Sequence, residues 1–145
     1  MTTDTTATPS AGPGLDVRAL FERYAATFAT RDAEAVAALH AEATEFRLRL
    51  GTPPARGRAA VAEAFAGFFA QWPHLGFDVH RLVVGADHWV LDWALIARVD
   101  GTPVRFDCMD LVMLSPEGLV ARKDTFIDAS QLPPALLAAR TEAAA

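Results

Sequence analysis

Two aspartates, Asp110 and Asp124, stand in alternating apolar segments near the end of this 145-residue chain. Between the segments lies Pro116-Glu117-Gly118, which reads as a three-residue hairpin loop. Proline suits its first position and glycine a left-handed third position before a bulge. Ser115 then pairs with Leu119, and counting back sets Val112 opposite Arg122, Asp110 opposite Asp124 and Cys108 opposite Phe126. Side chains alternate along a strand, so Phe106, Cys108, Asp110 and Val112 share one face with Arg122, Asp124 and Phe126. Opposed Cβ atoms lie about 4.5–5.5 Å apart. Two carboxyls would therefore meet on an apolar surface. Burial and mutual repulsion would raise the pKa of at least one of them. A carboxyl kept partly protonated near neutrality is what proton transfer needs, and Arg122 would hold the other as carboxylate. The competing reading leaves Asp110 satisfied by backbone or an arginine, and a one-residue slip would turn it outward.

The elements that must position this pair follow from periodicity. Asp16 can cap a helix whose apolar face is Val17, Leu20, Phe21, Tyr24 and Phe28. A short second helix has Val36 and Leu39 inward. Thr44–Leu50 alternates as a half-buried strand, and Gly51–Gly57, with two prolines, reads as a loop. A third helix runs from about Arg58 to Trp72, with Val61, Phe65, Phe68 and Trp72 as its main stripe and Pro73 ending it. From Phe77 the period becomes two, giving strands over 77–84, 88–98, 104–114 and 119–127. Helices segregated from a mostly antiparallel sheet define an α+β fold. The residues expected on its inner faces are Phe46, Phe65, Phe68, Trp72, Phe77, Trp89, Trp93, Phe106 and Phe126. They read as a core, or more sharply as the wall of a cone closed by the third helix.

Residues 1–14, rich in Thr, Ala, Pro and Gly, read as a disordered tail without the features of a signal peptide. The domain is expected over 15–138, with a short helix after Pro133-Pro134 and a frayed end over 139–145. A net charge of -5 argues against nucleic acid, and no stretch has the apolar length of a membrane span. A single cysteine precludes an internal disulfide and fits a cytoplasmic home. Cys108 reads as inert packing. Of thirteen basic residues only Lys123 is not arginine. Arg47, Arg49, Arg56 and Arg58 read as a solvated cluster. His40 reads as a contact at a helix end. The histidines show no ligand spacing, so no metal is expected.

Residues Leu20 to Leu132 resemble the SnoaL-like branch of the nuclear transport factor 2-like superfamily. The carrying segments are Arg23-Tyr24-Ala25-Ala26-Thr27-Phe28 with Arg31-Asp32, then Gly57-Arg58-Ala59-Ala60-Val61. The last is Gly118-Leu119-Val120-Ala121-Arg122-Lys123-Asp124-Thr125-Phe126-Ile127-Asp128. The resemblance implies a curled sheet wrapped with three helices around an apolar pocket, and a homodimer through the outer sheet face. In the polyketide cyclases of that branch the position matching Asp124 is the catalytic Asp. The partner-strand position is His, here replaced by Asp110. The epoxide hydrolase pattern needs an Arg two residues before Asp92, which this chain lacks.

Two functions remain open from the sequence. In one, the pocket binds a small apolar polyketide-, steroid- or terpenoid-like molecule, with Asp124 and Asp110 as a cofactor-free acid–base pair. Phe46, Phe68, Trp72, Phe77, Trp93, Phe106 and Phe126 form its walls, with Cys108 and Arg122 beside them. In the other, the domain only binds a ligand or serves as an accessory dimerisation domain. A cavity of roughly 300 Å³ or more touching both aspartates favours the first; a filled cone favours the second.

Overall fold

The computed structural model describes residues 14–134. The tail expected over 1–14, save Gly14, lies outside the described residues. So do the helix expected after Pro134 and the end expected to fray. Helix α1 (Val17–Ala29) starts where Asp16 accepts a hydrogen bond from the Ala19 amide at 3.1 Å, and it buries Val17, Tyr24 and Phe28. Arg31, at φ 59°, turns the chain into α2 (Ala33–Ala37). Asp32 caps α2 through the Ala35 amide.

Strand β1 (His40–Arg49) begins four residues before the expected start. The segment expected to be all loop contains a two-residue strand, β2 (Ala55–Arg56), paired to Glu45 and Phe46. Helix α3 (Arg58–Gln71) has no side-chain cap. Gly57, at φ 89°, enters it instead and donates its amide to the Thr44 carbonyl at 2.8 Å. Its buried stripe is Val61, Ala62, Phe65 and Phe69. Phe68, expected in the main stripe, is only half-buried, because the helix turns its Phe65–Phe69 edge to the sheet.

The remaining strands are β3 (Gly76–Val84), β4 (His88–Val99), β5 (Thr102–Leu114) and β6 (Val120–Ile127). Their bounds lie within two residues of those predicted by alternation. The six strands form one sheet in the order β2-β1-β6-β5-β4-β3. Among the described residues only the β1–β6 pair is parallel. The helices cover one face of this curved sheet, so the fold is α+β. Trp89, Trp93, Leu95, Phe106 and Val112 from the sheet meet Tyr24, Phe28, Val61 and Phe65 from the helices in one core.

Candidate active site

The last hairpin closes as its loop residues dictate. The Ser115 amide donates to the Leu119 carbonyl at 2.7 Å, the Gly118 amide to the Ser115 carbonyl at 2.9 Å, and Gly118 adopts φ 83°. The register beyond it differs from the simple count. Leu114 pairs with Val120 but Met113 pairs with Arg122, so Ala121 is an extra residue in a bulge. The slip reverses every later side chain. Asp110 faces Thr125, and Asp124 faces Leu111 across the ladder. The two carboxyls point to opposite faces of the sheet, so the expected Asp110–Asp124 pair is not formed.

Arg122, Asp124 and Phe126 therefore leave the inner face. Phe126 is 44% exposed. Asp124 is buried on the outer side, beneath Arg122 Nε at 2.7 Å and Arg49 Nη2 at 2.9 Å. Burial alone would raise its pKa, but the hydrogen bonds and charges of Arg122 and Arg49 outweigh it and hold the carboxyl below its usual value. This is opposite to the rise expected from a carboxyl pair. Arg47 and Arg56 bind Glu45 on the same face, and Arg58 donates twice to the His40 carbonyl. The expected arginine cluster is thus a set of ion pairs plus one backbone clamp.

The inner face receives Lys123 instead, which the sequence reading assigned no role. Its side chain is 6% exposed. Nζ lies 4.5 Å from the ring centre of Phe28, 4.9 Å from Tyr24 and 5.5 Å from Phe65. These rings form an aromatic cage that favours a cation. Asp110 Oδ2 is 3.8 Å from Nζ, and Thr125 Oγ1 donates to Asp110 Oδ1 at 2.8 Å. Burial pulls Lys123 below the ordinary lysine range, and the Asp110 charge opposes that shift. The available signal was that the only lysine of the chain falls within a strand. The Ala121 bulge hid it.

Behind the cage lies a second polar group. Tyr24 Oη is 2.9 Å from His40 Nε2, and His40 Nδ1 is 2.8 Å from Thr44 Oγ1. His40, expected as a contact at a helix end, is fully buried at the start of β1. Burial, then the charges of Lys123 and Arg58, lower its pKa to about 3, so the ring is neutral. Burial and the Asp110 charge raise Tyr24 well above the usual phenol value. Cys108 is buried, its thiol pushed up to about 12 chiefly by burial, which suits packing rather than attack.

A cavity of about 210 Å³ opens on this group. Phe21, Tyr24, Ala25 and Phe28 of α1 form one wall, and Phe77, Val79, Trp89, Leu91 and Trp93 the other. Asp110 and Lys123 are its charged lining residues. Its volume falls below roughly 300 Å³, and it touches one aspartate rather than two. Phe77 and Trp93, named for the expected pocket, line it. Phe46 and Phe68 line a different cavity of about 230 Å³ with Thr52, Pro53 and Gln71. Trp72 and Phe106 pack on each other, ring centres 5.4 Å apart, and line neither. Trp93 is buried, and its indole N–H has no hydrogen-bond partner among the described residues. Asp92 lies 3.6 Å from Arg81, away from this group.

Among the described residues no three His, Cys, Asp or Glu side chains converge on a point that could hold a metal ion. No described helix is long and apolar enough to cross a membrane.

A profile of the SnoaL-like domain matches residues 21–123. No curated protein matches the chain. Among solved structures, SalBIII superposes with a TM-score of 0.69 at 18% identity, over 79% of this chain and 92% of that one. It is described as an epoxide hydrolase/cyclase-like enzyme acting in pyran ring formation in the polyether salinomycin. A protein of ketosteroid isomerase-like fold from Catenulispora acidiphila, in complex with trimethylamine, gives 0.68 at 15% identity, over 77% and 87% of the two chains. At these identities the likeness is one of fold.

Proposed function

The chain belongs to the SnoaL-like family, and from its site we propose that it binds a small, largely apolar molecule in the α1–sheet cavity and transfers a proton on it without a cofactor. The observation that carries this is one charged pair, Asp110 and Lys123, set in an otherwise apolar cavity wall. Apolar walls supply affinity, and a few convergent polar groups orient the ligand. About 210 Å³ suits a one- or two-ring terpenoid or aromatic polyketide better than a steroid. Asp110 is the proton carrier. Lys123, with Nζ 3.8 Å from Asp110 Oδ2, offers a positive charge to an oxygen of the ligand. Asp124 has no part in this reading, because its outer-face ion pairs remove it from the cavity.

Native mass spectrometry of the purified chain tests the binding step by revealing a retained small molecule. Asp110→Asn should keep that ligand and lose its turnover. A chain that binds no apolar one- or two-ring compound would overturn the reading. A second reading is binding without chemistry. It is favoured by Thr125 and Lys123 already engaging Asp110, and equal turnover in wild type and Asp110→Asn would select it. The reading also includes a homodimer through the outer sheet face and a cytoplasmic location.

A further inference from the structure

We propose that Lys123 is a carbonyl-reactive amine whose Nζ condenses with a small apolar aldehyde or ketone in the α1–sheet cavity to form an iminium. The proposal rests on the ligand-binding reading above and names its substrate class.

The case begins with residue type. Every other basic residue of the chain is arginine, yet the cation buried at the cavity is the one lysine. A guanidinium cannot give up its proton in a protein, whereas an amine can and then becomes a nucleophile. As a mere counter-ion to Asp110, an arginine would serve as well and bind the carboxylate with two donors. The surroundings match the reaction. Nζ sits between the Tyr24, Phe28 and Phe65 rings, which exclude water, and the cavity wall it shares is apolar. Burial lowers its proton affinity, which enlarges the neutral fraction. An iminium carries the same single positive charge as the ammonium it replaces, so the cage and Asp110 stabilise both.

Asp110, 3.8 Å from Nζ, balances the protons. It takes one from the ammonium, leaving a neutral amine. The nitrogen lone pair attacks the carbonyl carbon, the C–N bond forms, and the C=O π pair moves to oxygen, which takes that proton. Asp110 then removes a second proton from nitrogen and delivers it to the hydroxyl. Water leaves as the nitrogen lone pair forms the C=N bond. The balance is one ammonium and one carbonyl giving one iminium and one water, with Asp110 again a carboxylate.

The test uses the full chain with naphthaldehyde as probe and sodium borohydride, whose hydride reduces the C=N carbon and fixes the adduct as a secondary amine. With one lysine, an adduct falls on Lys123 or on the N-terminal amine, and peptide mapping separates them. Lys123 should label at least about tenfold faster than the amine of an N-acetyl-lysine amide under the same conditions. Naphthylmethanol, which fills the cavity but forms no imine, should block Lys123 and spare the N-terminus. Saturation-transfer NMR reads binding of that alcohol separately. Lys123→Arg removes the nucleophilic amine, and labelling should then fall only at the N-terminus. Alcohol binding with Lys123 no faster than the free amine overturns the imine and leaves the cavity reading standing. No binding of either compound overturns both.

Discussion

Taking an unpaired charge out of water costs several kcal/mol, and Lys123 and Asp110 are each only 5% exposed. Each is therefore the condition for burying the other. Among the described residues, Lys123→Met leaves Asp110 with Thr125 alone, and Asp110→Leu leaves the ammonium with only its aromatic cage. Each single change should lower unfolding stability by about 3 kcal/mol. The double variant Asp110→Leu with Lys123→Met should return to wild-type stability or exceed it, because a packed apolar pair carries no desolvation cost. Urea unfolding of the four proteins measures the coupling; additive losses would show that the pair does not interact. His40 makes a second residue-scale prediction. Its folded pKa of about 3 lies below the ordinary value of about 6.5. Between those values the unfolded chain binds a proton that the folded chain refuses. Its contribution is thus fully present above pH 6.5. It is lost as pH falls toward 3, at up to about 1.4 kcal/mol per pH unit. His40→Asn should be less stable at pH 7 by about 1–2 kcal/mol. It should also lose less than wild type on going from pH 6.5 to 4.5.

At the scale of elements, the hairpin of β5 and β6 decides which residues meet. Its loop was legible because Pro116 and Gly118 each have a conformational reason to be there. Four strands were legible because Phe77–Val84, His88–Arg98 and their successors alternate, and three helices because apolar residues recur at helical spacing. The bulge at Ala121 was not legible, since alanine in a bulge has no distinctive chemistry and either register puts apolar residues inward. Only the partners settle it. In the observed register Asp124 pairs with Arg122 and Arg49 outside, and Val120, Lys123 and Thr125 face the core. The candidate site was accordingly half legible: Asp110, Phe77 and Trp93 were named, Tyr24 was read only as part of the apolar face of α1, and Lys123 and Thr125 depended on the register. Gly118 is the point where loop and helix meet. It sits at φ 83°, and an added Cβ would lie 3.4 Å from Leu20 Cδ1 of α1. Gly118→Ala should cost about 1–2 kcal/mol, mostly from the left-handed backbone. A thermal midpoint equal to wild type would mean that the loop relaxes without strain.

The whole molecule presents two unlike faces of one sheet. The inner face is covered by α1 and α3. The outer face carries ion pairs of both signs, Arg122–Asp124 and Arg47–Glu45, beside the exposed apolar side chains Ile96, Met109 and Phe126. Met109 and Phe126 oppose each other across β5 and β6, and Arg49 stacks over the Phe126 ring at 5.2 Å. A face mixing apolar residues with charges of both signs can oppose a copy of itself across a two-fold axis, each charge meeting its complement. The proposed homodimer would cover this surface. Sedimentation at micromolar concentration should then give twice the 15.5 kDa chain mass. Phe126→Glu places a carboxylate at the centre of the patch and should shift the chain to monomer. Its side chain lies outside the inner core, so binding of a ligand in the α1–sheet cavity should persist in that monomer. A wild-type chain that sediments only as monomer would remove the dimer while leaving the cavity chemistry untouched. Loss of ligand binding on dissociation would instead mean that the cavity depends on the partner subunit, a dependence that the α1 and sheet walls of a single chain give no reason to expect.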